Sequence, residues 1–248
     1  MKLLADLCIT DPEDIDVKAI AFRCGALVVE GDLHGCEARL VGTHDKAIIT
    51  VKRDAFSPRQ RFSIGHELGH WMHDRGQANF RCVKADFQKW GDVSPETRAN
   101  QYAVDLLLPK SMFVPRAAGQ PFSHATISVL AKTFQTSRTS TAIRFLELAD
   151  RATVIVFSTT QGIKWCRKNM NHVPFPIKVL DRITSDTVAY DILRGKPAAG
   201  PTEVSAAAWF SDGHAERHTV QEDSAAVAGG VLTLLSWPNE GHLLEYYH

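Results

Sequence analysis

No apolar run in these 248 residues approaches the roughly 18 needed to cross a bilayer. The opening Leu3-Leu4-Ala5 lacks the longer apolar stretch of a secretion signal. The expectation is a cytoplasmic protein with no membrane partner. Cysteine is scarce: Cys8, Cys24, Cys36, Cys82 and Cys166 are odd in number and scattered, and no two form a Cys-x-x-Cys pair. That spacing excludes a disulfide framework and a cysteine zinc knuckle, and it predicts buried thiols. Net charge is missing as well, since 28 Lys and Arg offset 28 Asp and Glu. There is no global electrostatic drive towards nucleic acid, so any DNA contact has to be local. What is present, 44% hydrophobic and 23% charged residues, describes a soluble globular chain long enough for one large domain or two modest ones.

Against that plain background one stretch carries chemistry: Phe62-Ser63-Ile64-Gly65-His66-Glu67-Leu68-Gly69-His70 contains His-Glu-x-x-His. Residue frequencies predict only about 0.02 such motifs in a chain of this composition, so coincidence is a weak account. At 3.6 residues per turn, His66 and His70 lie one turn apart on one helix face, where two imidazoles can reach one zinc ion. Glu67 is rotated about 100° from His66, so its carboxylate misses the metal. It is placed instead to act as general base towards a water that zinc acidifies.

The surroundings read as a helix followed by a small sheet. Asp11-Pro12 gives a cap and a proline at the first helical position, and Ile15, Ala19, Ile20 and Phe22 supply an apolar stripe, predicting a helix over 12–24. Ala26–Glu30, Ala38–Val41 and Ala47–Val51 are short β-branched runs separated by turn residues, predicting a small antiparallel sheet. Such a sheet can be purely structural, or its edge can accept an extended peptide as an added strand. Ser57-Pro58 repeats the cap-and-proline signal for a helix reaching Asp74. Gly65 and Gly69 cost that helix about 1 kcal/mol each relative to Ala. Their i, i+4 spacing suggests that another backbone comes close.

A third metal ligand has two sources. His73 lies one turn further along, but the metzincin pattern wants Gly at 73 and His at 76, whereas this chain has His73 and Gly76. His73 is better read as a capping or packing histidine. Ser94-Pro95 opens a helix over about 95–108 that puts Glu96 in its first turn and Asn100 on the same face. Glu96 can be the ligand, or simply a carboxylate complementing a helix N-terminus. Asn100 can fix a histidine tautomer from behind the metal, or be an ordinary surface amide. Two histidines and one glutamate leave the fourth position open, as in a catalytic zinc site.

The run Arg59 to His70, then Pro95-Glu96-Thr97-Arg98-Ala99-Asn100-Gln101-Tyr102-Ala103 and Leu106-Leu107-Leu108-Pro109, resembles the ImmA/IrrE family of zinc metallopeptidases. Two departures are visible, Gly65 where Ala is usual and Tyr102 where Phe is usual. The resemblance implies His66, His70 and Glu96 as zinc ligands and Glu67 as catalytic. One zinc ion per chain is expected, and manganese can occupy the same donor set at a different affinity. It further implies a cytoplasmic endopeptidase whose protein substrate is a helix-turn-helix repressor of the XRE type, cut to relieve repression in a stress or mobile-element response. The alternative is a non-proteolytic transcriptional regulator or stress-sensing adaptor with a structural zinc site.

Beyond the motif, helices predicted at 124–134 and 138–149 resemble the helix-turn-helix segment that follows the peptidase domain in this family. Lys132, Arg138, Arg144 and Arg151 are its candidate phosphate contacts, but Glu147 and Asp150 between them suit a solvated face, so direct DNA binding is not favoured. Strands are predicted at 153–157, 163–166, 204–210 and 231–237, with a helix near 186–194. His214 and His218 mimic half a zinc motif, but Ser211-Asp212-Gly213 marks a turn and a hairpin loop is the better account. The fold class expected is α+β: a zincin-like peptidase domain over 1–120 with a small antiparallel sheet and the His-Glu-x-x-His helix, a helix-turn-helix-like segment over 121–152, and a regulatory α+β domain over 153–248.

Overall fold

The computed structural model of the chain describes residues 2–53, 57–74, 94–173, 177–211, 215–241 and 243. Gly76, Cys82 and His214, singled out above, lie outside them. The chain is mixed α+β and divides into two compact units, Met1–Arg116 with Ala131–Ser137, and Ala117–Leu130 with Arg138–His248. None of the described helices is long and apolar enough to cross a membrane.

The first unit begins with α1 (Lys2–Asp6), a 3₁₀ turn over Pro12–Asp14 and α2 (Val17–Arg23). The single helix expected over 12–24 is therefore split. Asp16 rather than Asp11 is the effective cap, its carboxylate accepting from Lys18 N at 2.9 Å and Ala19 N at 3.1 Å. The break lets Ile15 turn inward, where it is 1% exposed. Three strands follow: β1 (Ala26–Gly31), β2 (Ala38–Gly42) and β3 (Ala47–Lys52). Their order is β1-β3-β2, with β1 parallel to β3 and β2 antiparallel to it, so the sheet is mixed rather than antiparallel as expected. A β-branched run carries no information about strand direction. The tight β2–β3 turn makes that pair antiparallel, while the longer 32–37 connection lets β1 reach the other side of β3. Ala47, Ile49 and Val51 of central β3 are buried.

Onto β2 and β3 packs α3 (Ser57–Asp74), through Ile64, Leu68 and Trp71. Each such fully buried aliphatic side chain contributes about 1.5–3 kcal/mol relative to exposure. The Trp71 indole fixes the helix further by donating to the Cys24 carbonyl at 2.8 Å. Next comes α4 (Pro95–Leu107), capped by Ser94, whose hydroxyl accepts from Thr97 N. A helix the sequence did not signal, α5 (Lys110–Ala117), follows; it holds Pro115 in its interior, which is why its pattern reads as a break.

The most extensive packing between elements of this unit is between α3 and α4. A Cβ built on Gly69 would lie 2.9 Å from Ala99 Cα and 3.1 Å from Ala99 O, and one built on Gly65 would lie 3.3 Å from Ala103 Cα. The backbone approach expected from the glycine spacing is thus the crossing of these two helices, with Gly65 and Gly69 facing Ala103 and Ala99. The four free cysteines among the described residues are exposed (Cys8) or half-buried (Cys24, Cys36, Cys166), not the fully buried thiols expected.

Helix α6 (His124–Thr133) begins in the second unit and ends in the first, and a turn in which Gln135 takes a φ of 53° leads back to α7 (Arg138–Leu148) in the second unit. After them come β4 (Thr153–Thr159), β5 (Gly162–Lys168), α8 (Val188–Leu193), β6 (Thr202–Ser205), β7 (Thr219–Val227) and β8 (Gly230–Ser236). They form an antiparallel sheet of order β5-β4-β8-β7-β6. The strand expected over 204–210 stops at Ser205, because Ala206–Ala208 make a 3₁₀ turn whose Ala207 N is held by the Ser205 hydroxyl. Strand β7 escaped the sequence pattern because Gln221, Glu222, Asp223 and Ser224 look like a loop. Glu222 is nonetheless fully buried, accepting from Ala189 N at 2.7 Å, Trp209 Nε1 at 2.9 Å and Ser224 Oγ at 2.8 Å.

The two glycines of the crossing should respond differently to the same substitution. At Gly65 the neighbour has only to give by a few tenths of an ångström, and the gain in helix propensity of about 1 kcal/mol offsets it. At Gly69 the obstacle is backbone, and overpacking of this kind costs about 1–3 kcal/mol. In urea unfolding of the metal-free protein, Gly69→Ala should lower stability clearly while Gly65→Ala stays near the parent. Equal stabilities would show that the crossing is not tight at Gly69.

Candidate metal centre

Helix α3 delivers His66, Glu67 and His70, and the first turn of α4 delivers Glu96. His66 Nε2 and His70 Nε2 are 3.1 Å apart, His66 Nε2 is 3.2 Å from Glu96 Oε2, and His70 Nε2 is 3.3 Å from Glu96 Oε1. Among the described residues this is the one group of three or more His, Cys, Asp or Glu side chains close enough to share a metal ion. Donors bound at 2.0–2.1 Å around a tetrahedral ion lie about 3.3 Å from one another, close to the spacing of the two imidazole nitrogens, each of which has one oxygen of the Glu96 carboxylate at a similar distance. The donor set fits the ion.

The outer ring nitrogens explain why these atoms converge. His66 Nδ1 meets Asn100 Oδ1 at 2.9 Å, and His70 Nδ1 meets Asp74 Oδ2 at 3.1 Å. Both partners only accept, so each Nδ1 carries the hydrogen and each Nε2 is left with its lone pair. The 3.1 Å between the two Nε2 atoms is therefore a meeting of lone pairs rather than a hydrogen bond. Burial, with the neighbouring His70 charge, holds the His66 imidazole below its usual pKa despite the opposing pull of Glu96. A neutral ring is the form that binds metal.

Glu67 stands apart from the donor set. It is 3% exposed, and its Oε2 has no hydrogen-bond partner among the described residues. Burial raises its pKa to about 7, and the charge of nearby Glu96 adds to the rise while His70 opposes it. A carboxyl group poised at that value can both take and return a proton near neutral pH. Glu96, in contrast, has half its side chain exposed, so the donor set opens to solvent on that side.

The structure brings together His66, His70, Glu96 and Asn100 and sets Glu67 beside them. His73 does not join: it is exposed and its ring stands edge-on to Tyr102, with centroids 5.6 Å apart. Tyr102 itself has a buried hydroxyl with no partner among the described residues, and burial pushes its phenol pKa well up. Asp74 was missed by sequence reasoning, although its position four residues after His70 puts it on the same helix face. His218, the described half of the second histidine pair, sits beside a 3₁₀ turn over Ala215–Arg217 rather than in a histidine cluster.

The basic residues of the helical segment are in part committed elsewhere. Arg144 is 1% exposed and bonded to Glu147 at 3.1 Å, and Arg138 donates to the Ala226 carbonyl, whereas Lys132 and Arg151 are exposed. Thr141, Ala142, Phe145 and Leu146 of α7 are buried too. The second helix of the pair thus packs inward, where a DNA-reading helix would need to face out.

Residues 23–146, half of the chain, match the model of a peptidase family described as "IrrE N-terminal-like domain". No curated protein matches the chain. Among solved structures, a Mycobacterium tuberculosis transcriptional regulator aligns over 99% of this chain and 76% of its own, with a TM-score of 0.57 and 15% identity. That likeness is one of fold.

The raised Glu67 pKa has a measurable consequence for stability. The native protein holds this proton up to about pH 7, while the unfolded chain releases it near 4.5. The native state therefore binds more protons between those values, and its stability falls as pH rises through that window. Glu67→Gln removes the ionisation. In chelator, the variant should match the parent near pH 4 and exceed it at pH 8 by on the order of 1–3 kcal/mol in chemical denaturation. A constant difference across the range would mean that Glu67 titrates normally.

Proposed function

The chain belongs to the peptidase family of IrrE N-terminal-like domains, and from that premise we propose that it is a zinc-dependent endopeptidase acting on a transcriptional repressor. The observation that carries this reading is the convergence of His66 Nε2, His70 Nε2 and Glu96 beside a buried carboxyl, Glu67, whose Oε2 is unpartnered. A purely structural metal site has no use for such a group: a buried, unsatisfied carboxyl oxygen costs about 1–3 kcal/mol, more when charged.

A zinc ion held by His66, His70 and Glu96 would supply a Lewis acid for the scissile carbonyl and would lower the pKa of water towards about 7. The protein's own part is proton transfer and positioning. Glu67 accepts the proton of the attacking water at Oε2 and returns it to the departing amine, a cycle its pKa of about 7 allows without a large driving-force penalty in either direction. Asn100 and Asp74 keep the two imidazoles in the tautomer that presents Nε2. The exposed side of Glu96 leaves room for a polypeptide to approach.

For the substrate, an XRE-type helix-turn-helix repressor is the class consistent with the family resemblance, cut in a stress or mobile-element response. Direct DNA binding by this chain has less support, given the buried α7 and its committed arginines. The reading as a transcriptional regulator without turnover draws on the likeness in fold to the Mycobacterium tuberculosis transcriptional regulator. The retained Glu67 speaks against it. The region after residue 152 is assigned regulation or recruitment, since the one metal-competent cluster among the described residues lies before it.

Glu67→Gln should keep one zinc per chain and lose proteolysis of a purified XRE-type repressor by about 10²–10⁴-fold, the usual worth of general acid–base catalysis. Zinc analysis and electrophoresis of the reaction products read both quantities. Cleavage by the variant at parental rate would remove Glu67 from its role. An intact repressor beside a parental enzyme that cuts an unfolded protein would remove the substrate class alone.

A further inference from the structure

Two residues outside the donor set, Asp74 at the last position of α3 and Arg98 in the first turn of α4, are joined by a 3.0 Å contact from Arg98 Nη2 to Asp74 Oδ1. The other oxygen of the same carboxylate, Oδ2, accepts from His70 Nδ1 at 3.1 Å. Asp74 is thus engaged on both sides, and its side chain is only 3% exposed. A buried carboxylate without a cation is costly, whereas here a guanidinium compensates it and also dictates which way it faces. The pair also joins the last residue of α3 to the first turn of α4 across a break of 20 residues in sequence, from 75 to 94.

The arrangement gives the two histidines different support. His66 leans on a neutral amide, Asn100, whereas His70 leans on a carboxylate that is itself held by a cation. A carboxylate behind an imidazole fixes its tautomer and ring orientation and strengthens it as a metal ligand. Both supports trace back to α4, which also carries Glu96: Asn100 acts directly and Arg98 acts through Asp74. All three donors are therefore registered against one helix.

Resting on the zinc site proposed above, we propose that Asp74 and Arg98 are positioning residues for it, Arg98 acting through Asp74 to hold His70 as the stronger of the two imidazole donors. Neither touches the metal position, so their effect should appear in metal affinity and ligand-field geometry before it appears in turnover.

The test uses the full-length chain and four substitutions: Asp74→Asn, Arg98→Gln, their combination, and Arg98→Lys. Zinc affinity is read by competition with a chromogenic chelator, ligand geometry by the visible absorption of the cobalt-loaded protein, and fold integrity by melting in excess chelator. Asp74→Asn should weaken zinc binding about 10 to 100-fold, the range seen for partners of metal-bound histidines. Arg98→Gln should weaken it less, and both should alter the cobalt spectrum. The double variant should be no weaker than Asp74→Asn alone, because residues acting in series are not additive. Arg98→Lys should recover part of the loss. Zinc affinity of Asp74→Asn within twofold of the parent overturns the proposal, as do losses that multiply in the double variant. A fall in metal-free melting temperature with unchanged zinc affinity also overturns it, since the pair is then structural. Should Asp74→Asn not fold, the Arg98 variants decide: parental affinity in Arg98→Gln refutes the role. Glu96→Ala serves as the control for the site itself, because undiminished zinc binding there would remove the metal-centre reading and not only the positioning pair.

Discussion

The metal centre depends on how closely two helices can approach. His66 and His70 sit on α3 and Glu96 on α4, and the two imidazole nitrogens and the Glu96 carboxylate come within 3.1–3.3 Å of one another only because glycines face alanines where the helices cross. Each glycine costs the isolated helix about 1 kcal/mol. That cost is offset by a crossing in which a Cβ at Gly69 would meet the Ala99 backbone at 2.9 Å. Farther apart, Glu96 could still complement the N-terminus of its helix but could not share an ion with the histidines.

Within a few ångströms of that crossing, three carboxyl groups are given different properties by their surroundings alone. Glu96 is half exposed and faces two imidazole nitrogens. Asp74 is buried but engaged at both oxygens by His70 and Arg98. Glu67 is buried with one oxygen unpartnered, and desolvation raises its pKa to about 7. One type of functional group thereby yields a ligand, a support and a proton carrier.

The second unit uses its polar residues differently. Glu222 at the centre of β7 is buried yet fully bonded, tying α8, Trp209 and Ser224 to one strand. Arg144 and Arg138, which look in sequence like phosphate contacts, bond instead to Glu147 and to the Ala226 backbone. A positive charge in a sequence is available to a partner only if the fold leaves it free, and here the buried face of α7 takes Arg144 inward.

Much of the site was legible beforehand because it follows from local periodicity. The spacing of His66, Glu67 and His70, the cap signals at Ser57-Pro58 and Ser94-Pro95, and the paired glycines all act over a few residues, and the helices they forecast are the ones observed. Strand direction in the first sheet was not legible, since an apolar run has no polarity until a partner pairs with it. Strand β7 was hidden for a related reason: Glu222 looks like a solvent residue until Trp209 and Ala189, distant in sequence, supply its hydrogen bonds. By itself the sequence determined which residues could hold a metal ion and which helices would carry them. The tertiary structure decided that Glu96 meets the histidines, that Asp74 stands behind one of them with Arg98, and that Glu67 is buried enough to hold its proton near neutral pH. Those outcomes depend on distances between segments far apart along the chain, and on the water excluded when they pack.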